Sequence, residues 1–430
     1  MNLLYNTAIG AYALGARLAS LRSPKVAKML KGQRETVSHV ESCRRNIAPD
    51  GFDVWFHVAS LGEFEQARPL IEALRREQPR KKILLTFFSP SGYEVRKNYS
   101  HVDCVAYLPF DTPVRVRAFI EAAKPRKVVF VKYEFWGNYL MELKRRGIPV
   151  ILIDAIFRPS QRFFKSYGGM FRRMLDCYSH IFVQDENSQK LLRSIGVTDV
   201  TVAGDTRFDR VAEVMDTQVD LPQLTGWLNG TPFTLIAGSS WPADEDCYLP
   251  WLNSHPDIKA IIAPHEFDGQ RLQTLQSRIK AKSVLWTDVK ESGAPINPDV
   301  QVVIIDAFGL LSSLYRFGSV AIIGGGFGAG IHNINEAAVY GMPVAFGPEH
   351  HKFKEAADLI RLGGAAEYHN QSDIAAILDR WYYDPEAIDD AGFAAGQYIS
   401  SNLGATQRIL PVLLFERRSP SLEALMRTFA

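Results

Sequence analysis

The sequence predicts an α/β protein built from two doubly wound parallel sheets, and three observations lead to this prediction. The chain has 430 residues, more than one hydrophobic core usually organises, so two domains are expected. Hydrophobic residues make up 47% and charged residues 22%, as in a folded, soluble body. Short apolar runs that do not alternate with polar residues are separated by amphipathic stretches, and this pattern occurs twice along the chain. A largely disordered chain and a membrane protein with many spans are excluded.

Residues 1–45 form a separate segment, apolar at first and basic afterwards. Residues 1–16 carry no charge, whereas residues 17–45 hold eight basic and two acidic side chains. Arg17 interrupts the apolar run too early for a membrane span, and a cleaved signal peptide would carry its charges at the other end. Two interpretations stay open: a helix lying in a membrane surface beside anionic headgroups, and a helix docked on the protein's own core. The residues concerned are the apolar stripe Leu3, Thr7, Ala11, Leu14, Leu18 and Leu21 and the cations Lys25, Lys28 and Lys31.

The remaining elements divide the chain into two domains. Residues 46–205 form the first, residues 206–231 a looser linker, and residues 232–404 the second. A final helix over 405–430 could cross back to the first domain. Two sheets joined in this way are expected to face each other across a cleft. The predicted strands are 54–58, 83–87, 105–108, 128–131, 150–153, 180–183 and 200–202, then 233–237, 259–263, 300–305, 320–323 and 344–346.

Charge and cysteine usage exclude further classes. A formal net charge of +2 is too balanced for a general nucleic-acid coat. The four cysteines are widely separated in sequence, so neither zinc spacing nor a dense disulfide framework is present, and a reducing cytosol is indicated. The histidines show no metal-ligand spacing. The sequence therefore predicts no metal and no cofactor.

A glycine-rich run is the first candidate site. Residues 324–330 follow a predicted strand and precede a predicted helix, an arrangement that can bring backbone N–H groups to a phosphate. Asn333 and Glu336 would share one face of that helix, where a carboxylate can accept hydrogen bonds from ribose hydroxyls. A tight turn and an acid that favours the helix dipole are the structural alternatives.

Two acidic residues follow strands of the first domain. Glu63 comes after strand 54–58 and could act as a general base on a hydroxyl, because ligands bind at the carboxyl ends of parallel strands. The spacing Ser60-x-x-Glu63 is also a capping box, and from spacing alone that interpretation is favoured. Glu134 follows strand 128–131 in a similar way, with a helix-start acid as the alternative.

Several motifs together resemble one family, the 3-deoxy-D-manno-octulosonic acid (Kdo) transferases of lipopolysaccharide synthesis. The segment from His57 to Glu63 resembles the family's "HaaSvGE", and residues 133–138 resemble "ETELWPN". Residues 204–209 resemble "GNLKFD", and residues 330–336 with Gly347 and Pro348 are similar to "GGHNPLEPA…GPH". These matches occur in order across residues 1–360.

The resemblance implies a GT-B glycosyltransferase with two facing Rossmann-like domains, the acceptor bound in the first and CMP-Kdo in the second. It implies inverting transfer of Kdo to a lipid A precursor (lipid IVA) without a metal. It also implies a location on the cytoplasmic face of the inner membrane, attached through the N-terminal segment. No nucleic-acid partner is expected.

Carried over by position, Glu63 would be the general base, and Glu134 and Arg207 would stabilise the transition state. The family's Pro-Arg-His is here Pro264-His265-Glu266, so an arginine expected near the CMP phosphate is absent; Arg271 is the candidate to replace it. The CMP-binding residues would be Pro264, His265, Phe308, Gly309, Leu310, Asn333, Ile334, Asn335 and Glu336.

Two rival interpretations remain. One is another GT-B sugar-nucleotide transferase or epimerase that uses UDP or GDP. The other is a membrane-surface scaffold that kept the fold and lost catalysis.

Overall fold

The computed structural model describes residues 3–216, 219–328 and 330–414, with the backbone alone for residues 214 and 216. The chain divides into two compact units. The first domain comprises the chain up to Arg210 together with the chain from Leu403 onward, and the second comprises Val211–Asn402. Each contains a seven-stranded sheet in which every pair of neighbouring strands is parallel.

The first sheet has the strand order β3-β2-β1-β4-β5-β6-β7. Its central strand, β4, is buried on both faces, because Val128 belongs to one core cluster and Val129 to another on the opposite side. This explains the unbroken apolar runs in the sequence. The strands are β1 (Val54–Val58), β2 (Ile83–Phe87), β3 (Cys104–Tyr107), β4 (Val128–Val131), β5 (Val150–Ala155), β6 (His180–Val183) and β7 (Val200–Val202).

Helices connect these strands and cover both faces of the sheet. Two helices precede β1, and helix α2 packs against α1, α5 and the edge strand β3. The helices are α1 (Leu3–Ser20), α2 (Pro24–Ile47), α3 (Leu61–Glu77), α4 (Pro90–Arg96), α5 (Pro113–Ala123), α6 (Gly137–Arg145), α7 (Gly169–Leu175), α8 (Glu186–Ser194) and α9 (Thr206–Asp216), with a 3₁₀ turn at Arg162–Phe164.

The second sheet has the order β10-β11-β9-β8-β12-β13-β14. Two of its strands were not predicted from the sequence: β10 and β14, both short strands at the sheet edges. The strands are β8 (Thr234–Ser240), β9 (Lys259–Pro264), β10 (Ser283–Leu285), β11 (Val302–Ile304), β12 (Val320–Ile323), β13 (Val344–Phe346) and β14 (Ala365–Glu367). The helices are α10 (Pro222–Leu228), α11 (Pro242–Leu252), α12 (Gly269–Arg278), α13 (Trp286–Ser292), α14 (Leu311–Leu314), α15 (Asn335–Ala338), α16 (Lys354–Leu362), α17 (Gln371–Tyr383) and α18 (Pro385–Ser401), with a 3₁₀ turn at Tyr315–Phe317.

Each sheet has one point where the strand order reverses. In the first sheet the chain moves outward from β1 to β3 and then returns to place β4 on the other side of β1. In the second, β8 and β12 have the same relation. Ligands of doubly wound sheets bind outside the carboxyl ends of such strand pairs. The residues after β1 and β4, and those after β8 and β12, are therefore the positions to inspect.

The segment predicted as a loose linker, residues 206–231, is largely helical. Helix α9 begins at Thr206, and the division between the domains falls inside it. Helix α10 follows and buries Leu224 and Trp227. The polar composition suggested a loop, but a few apolar residues at helical spacing are enough to dock both helices.

The chain returns to the first domain at its end. Helix α19 (Ala405–Leu414) packs against α3 and buries Ile409 and Leu413 completely. The remainder of the predicted terminal helix, residues 415–430, lies outside the described residues.

Candidate functional site

A buried histidine and glutamate stand side by side at the reversal point of the first sheet. His57 lies on β1, and Glu134 follows β4, the neighbouring strand. The His57 Nε2 atom lies 3.0 Å from Glu134 Oε2, and Nδ1 lies 2.9 Å from the Thr86 hydroxyl oxygen. The indole N–H of Trp136 also donates to Glu134 Oε2. Glu134 is thus only 5% exposed, and two side chains hold its Oε2 atom in place.

Glu63 forms the capping box that its spacing predicts. The Ser60 N–H donates to Glu63 Oε2 at 3.1 Å, the Ser60 hydroxyl contacts the same oxygen, and the Gly62 N–H donates to the hydroxyl at 3.3 Å. The side chain is half-buried at the start of α3. Burial raises the pKa of Tyr133, and the nearby charge of Glu63 contributes to that increase, so Glu63 lies near the residues that follow β4.

Arg207 is held by Asp205 at the end of β7. Its Nε atom donates to Asp205 Oδ1 at 3.2 Å and its Nη2 atom to Oδ2 at 2.7 Å, the side-on geometry typical of arginine and carboxylate. The amide of Gln66, one turn after Glu63 on α3, lies 3.5 Å from Asp205 Oδ1. The arginine head group is therefore oriented beside the same helix that carries Glu63.

Asp154 lies beneath this pair and is completely buried at the end of β5. It accepts the Thr206 N–H at 2.9 Å and contacts the Thr206 hydroxyl at 2.8 Å. Burial, followed by the charge of Asp205, raises the pKa of Asp154 to about 7. Asp154 was not predicted, because nothing in the apolar run that contains it marks a functional residue.

In the second domain, the glycine run makes a compact turn whose donors serve the protein itself. A Cβ atom on Gly324 would lie 2.1 Å from the Ser239 carbonyl oxygen, and one on Gly326 would lie 2.6 Å from the Gly347 Cα. The Gly325 N–H donates to the buried carboxylate of Asp244 at 3.0 Å. Gly324 and Gly326 are therefore needed for close backbone packing, and phosphate binding by this turn stays a prediction.

Two polar side chains that follow this turn, Asn333 and Glu336, are hydrogen-bonded to each other at the surface. Asn333 donates to Glu336 Oε1 at 2.9 Å, as their predicted spacing suggested. Helix α15 begins only at Asn335 and has four residues, so Asn333 precedes it. Ile334 and Asn335 are 1% and 2% exposed, and among the described residues the buried Asn335 Oδ1 has no hydrogen-bond partner. Of these four predicted residues, Asn333 and Glu336 present polar side chains at the surface.

Three aromatic rings pack on one another after β8, after β9 and before α15. His265 stacks on Trp241 at 4.3 Å between ring centroids, and His332 lies 4.8 Å from His265. Burial, followed by the charge of His265, lowers the pKa of His332. Trp241, which follows β8, is a candidate that the sequence analysis missed.

The other predicted CMP-binding residues lie at the ends of neighbouring elements. Pro264 is buried at the end of β9, and Leu310 is half-buried at the start of α14. Phe308 is 87% exposed and packs on Phe267 with ring centroids 4.6 Å apart. Gly309 has a φ of 83°, a conformation that glycine adopts readily.

Arg271 does not take the place of the missing arginine in this structure. Its guanidinium donates to Glu245, whose side chain is completely buried, and Arg278 lies 3.5 Å from the other oxygen of that carboxylate. Arg271 therefore forms an ion pair with the buried carboxylate of Glu245.

The N-terminal helix presents its predicted apolar stripe to solvent. Leu3, Leu14, Leu18 and Leu21 are 83%, 57%, 62% and 82% exposed. The helix is docked by other residues, since the Tyr5 hydroxyl donates to Asp111 at 2.6 Å. Among the residues that the structure describes, no helix is long and apolar enough to cross a membrane.

Three potential metal ligands meet at the amino-terminal end of β3, whereas Glu63 and Glu134 follow the carboxyl ends of their strands. His39 and Cys43 are four residues apart on α2, and Cys104 begins β3; their ligand atoms lie within 4.8 Å of one another. The prediction of no metal-ligand set rested on linear spacing, which cannot detect a pair of cysteines that the fold brings together. The i, i+4 spacing of His39 and Cys43 was the available signal.

Known proteins resemble the chain over most of its length. A family model described as "3-Deoxy-D-manno-octulosonic-acid transferase (kdotransferase)" matches residues 16–210. The 3-deoxy-D-manno-octulosonic acid transferase of Haemophilus influenzae is 25% identical over 409 residues, which cover 92% of this chain and 93% of that protein. The enzyme of the same name from Aquifex aeolicus is 26% identical over 333 residues, covering 76% and 84%. That of Bordetella pertussis is 28% identical over 390 residues, covering 86% and 88%.

Solved structures of a different activity share the fold. The UDP-GlcNAc 2-epimerase of Neisseria meningitidis, bound to UDP-GlcNAc, superposes with a TM-score of 0.58 over 84% of this chain and 100% of that one, at 15% identity. A putative UDP-N-acetylglucosamine 2-epimerase of Listeria monocytogenes gives 0.53 over 84% and 95%, at 13% identity. At such identity the likeness shows the fold alone, which is the GT-B type with two Rossmann-like domains.

Proposed function

We propose that this chain, a glycosyltransferase that belongs to the 3-deoxy-D-manno-octulosonic acid transferase family, transfers Kdo from CMP-Kdo to a lipid A precursor and inverts the anomeric centre. The observation that carries the proposal is the placement of two acids at the strand-order reversal of the first sheet. Glu63 follows β1 and Glu134 follows β4, the strand pair at the reversal, whereas Arg207 follows the edge strand β7. Asp205, which holds Arg207, lies 3.5 Å from the amide of Gln66 on the helix that carries Glu63. Fixed charges of both signs are what a polar transfer reaction requires.

The capping box and the general base are compatible roles for Glu63. Both capping contacts use Oε2. We assign Oε1 to the reaction: it takes the proton of the acceptor hydroxyl while that oxygen bonds to the anomeric carbon of Kdo. The bond from the anomeric carbon to the phosphate oxygen breaks, and CMP leaves with the electron pair. Attack from the face opposite the phosphate inverts the centre.

Glu134 and Arg207 complete the electrostatics of the first domain. The carboxylate of Glu134 cannot reorient, because His57 and Trp136 both bind it, and a fixed negative charge stabilises the positive charge that develops on the sugar ring. Arg207 keeps a partly exposed guanidinium, held by Asp205, for the carboxylate or phosphate of the donor.

The second domain is the proposed donor site. Glu336 would accept hydrogen bonds from the ribose hydroxyls, with its carboxylate oriented by the Asn333 amide. Exposed His265, stacked on Trp241, offers a donor for the phosphate where the family has an arginine. The phosphate is thus bound without Arg271.

The lipid acceptor accounts for the N-terminal segment. An exposed row of leucines followed by exposed lysines suits a helix at the surface of an anionic bilayer, so we place the protein on the cytoplasmic face of the inner membrane as a peripheral protein. One face of this helix docks on the domain through Tyr5, and we assign the exposed face to lipid.

One assay tests the proposal. The purified protein is incubated with CMP-Kdo and lipid IVA, and the lipid product is followed by mass spectrometry with the released nucleotide. A product heavier by one or more Kdo residues, with release of CMP, supports it. Turnover of UDP- or GDP-sugars with no reaction of CMP-Kdo would favour the alternative of another transferase or an epimerase.

A further inference from the structure

A cluster of one imidazole and two thiols lies where the strands of the first sheet begin, and the candidate catalytic residues lie where they end. Cys104 is the first residue of β3, so it stands at the amino-terminal edge, whereas Glu63 and Glu134 follow the carboxyl ends of their strands. The Cys43 and Cys104 sulfur atoms lie 3.7 and 3.8 Å from His39 Nε2. Kdo transfer, as proposed above, uses none of these three side chains.

The fold brings the three residues together with little freedom. His39 and Cys43 occupy neighbouring turns of one face of α2, and this helix packs directly on β3. The close approach is fixed by Gly32, where a Cβ atom would lie 2.3 Å from the Tyr107 ring. The Val105 carbonyl oxygen lies 3.0 Å from His39 Nε2 and orients the ring.

The distances match a tetrahedral metal centre. With zinc–sulfur and zinc–nitrogen bonds of about 2.3 and 2.0 Å, tetrahedral angles place sulfur and nitrogen about 3.5 Å apart and two sulfurs about 3.8 Å apart. The two sulfur–nitrogen distances observed are within a few tenths of an ångström of this value. A metal ion could therefore enter with small side-chain movements.

The chemistry of the cluster selects a thiophilic ion. Two thiolates and an imidazole suit Zn²⁺ and exclude Mg²⁺ and Ca²⁺, which prefer oxygen. Both cysteines would bind the ion as thiolates, so each thiol loses its proton when the metal binds.

We propose that His39, Cys43 and Cys104 form a structural site for one Zn²⁺ ion that fastens helix α2 to the edge strand β3. The two thiol protons leave to solvent on binding, and the imidazole proton moves from Nε2, where the Val105 carbonyl oxygen accepts it, to Nδ1, so that Nε2 can ligate. A water molecule takes the fourth position, because His39 is exposed and Cys43 is half-buried. Asp103 is not available for that position, since Arg75 and Lys82 bind its carboxylate. The ion would stabilise the two-helix N-terminal arm, because α1 packs on α2.

Cobalt titration of the reduced, chelator-treated full-length protein tests the site. We expect one equivalent of Co²⁺ to give the thiolate-to-cobalt charge-transfer band and the intense visible bands of tetrahedral geometry, and Zn²⁺ to displace it. Zinc should also raise the melting temperature. Absence of these bands while all four thiols react with a thiol reagent would overturn the proposal, as would a disulfide between Cys43 and Cys104 in protein that retains no metal.

Variants separate this site from adventitious binding. Cys43→Ser and His39→Gln, both at accessible positions, should each weaken Co²⁺ binding at least tenfold and abolish the zinc-dependent rise in melting temperature. The matched control is the pair Cys177→Ser and Cys247→Ser, which alters the two cysteines outside the cluster and should leave the spectrum unchanged. Equal loss in the control pair would assign the metal to other thiols and overturn the proposal.

Discussion

At the scale of single residues, backbone strain marks the same places as the charged side chains. Among the described non-glycine residues with positive φ, Lys132, Asp154 and Ser239 stand at or directly after the carboxyl ends of β4, β5 and β8. Such conformations cost on the order of 1–3 kcal/mol and persist where the surroundings enforce them. Lys132 turns the chain so that Glu134 comes beside His57. The strain therefore accompanies the placement of the proposed site.

Glu63→Gln separates catalysis from capping. Glutamine keeps an oxygen for the Ser60 N–H, so the melting temperature and CMP affinity should stay close to those of the parent. Transfer of Kdo should fall at least ~100-fold, because the general base is lost. Glu77→Gln, at the exposed end of the same helix, is the control and should retain activity. Destabilisation with a proportionate loss of activity would leave Glu63 as a cap alone.

Glu336→Ala tests the donor site. The ribose hydroxyls lose a charged acceptor, so CMP binding should weaken by about 1.5–3 kcal/mol, measured by calorimetry. Asn333→Ala should have a smaller effect, because it removes only the amide that orients Glu336. As a control, Glu386→Ala changes an exposed acid elsewhere in the second domain. Unchanged CMP affinity in Glu336→Ala would remove this residue from the site.

Asp154→Asn tests the buried proton beneath Arg207. The Thr206 hydroxyl oxygen lies 2.6 Å from the Gln66 carbonyl oxygen. Because a carbonyl oxygen can only accept, the single hydrogen of the Thr206 hydroxyl is donated to Gln66. Neutral Asp154 must then donate to Thr206, in agreement with its pKa of about 7. The folded state binds this proton more tightly than the unfolded state, so stability is full below about pH 4 and falls as the pH rises to about 7, by up to ~1.4 kcal/mol per pH unit.

Asparagine can make the same hydrogen bonds without a titrating proton and tolerates the positive φ. Urea unfolding from pH 4.5 to 8 should therefore show a flatter profile for Asp154→Asn, and higher stability than the parent at pH 8. Identical slopes in the two proteins would show that Asp154 does not hold the proton.

At the scale of elements, the sequence predicted the central strands well and the edges poorly. The runs at residues 54–58, 83–87 and 320–323 coincide with β1, β2 and β12, because strands buried on both faces must be continuously apolar. Strands β10 and β14 escaped prediction because each has three residues and most of them are only partly buried. Such strands are formed by pairing with a neighbour, which a local pattern does not record.

The residues of the candidate site could be predicted from the sequence, but the side chains that hold them in place could not. Glu63, Glu134 and Arg207 could be named from their motifs. The partners that hold Glu134 and Arg207, His57 and Asp205, depend on which strands are neighbours. The metal-ligand cluster was missed for the same reason, since 61 residues separate its two cysteines in the sequence.

The exposed face of α1 gives a prediction at this scale. Replacing Leu14, Leu18 and Leu21 with serine should reduce binding to anionic vesicles by at least about 2 kcal/mol, because each leucine contributes apolar burial in the bilayer. The melting temperature should hold, since these side chains face solvent. Serine at Val95 and Val114, which are 59% and 72% exposed on other helices, is the control.

Salt distinguishes the two parts of this interaction in a vesicle sedimentation assay. Binding of the parent protein should weaken with added salt as the lysine contribution is screened, and it should persist in part because the leucines remain. Unaltered vesicle binding by the triple serine variant would contradict a lipid contact through this helix.

At the scale of the whole molecule, the chain leaves the first domain at α9 and returns to it at α19, so one domain is built from both ends of the sequence. The returning helix fills the face of the sheet beside α3, where Ile409 and Leu413 complete a core cluster. Lys127 donates to the Val412 carbonyl group, and Arg408 donates to the Ala203 carbonyl oxygen at 2.8 Å. The first domain therefore cannot be completed until the chain has passed through the second domain.

Asp209, the last residue of the motif at 204–209, holds the start of α19 where the chain returns to the first domain. Its two carboxylate oxygens accept the N–H groups of Gly404 and Thr406 at 2.6 and 2.5 Å, where α19 begins. Asp209→Ala should lower the free energy of unfolding by about 2 kcal/mol, because two backbone donors lose a charged acceptor at a helix start. Asp209→Asn, which keeps one acceptor oxygen, should lose about half as much. Urea unfolding gives these values, and CMP affinity should remain unchanged in both variants. A selective loss of CMP binding at full stability would place Asp209 in the donor site and contradict its role in closing the chain.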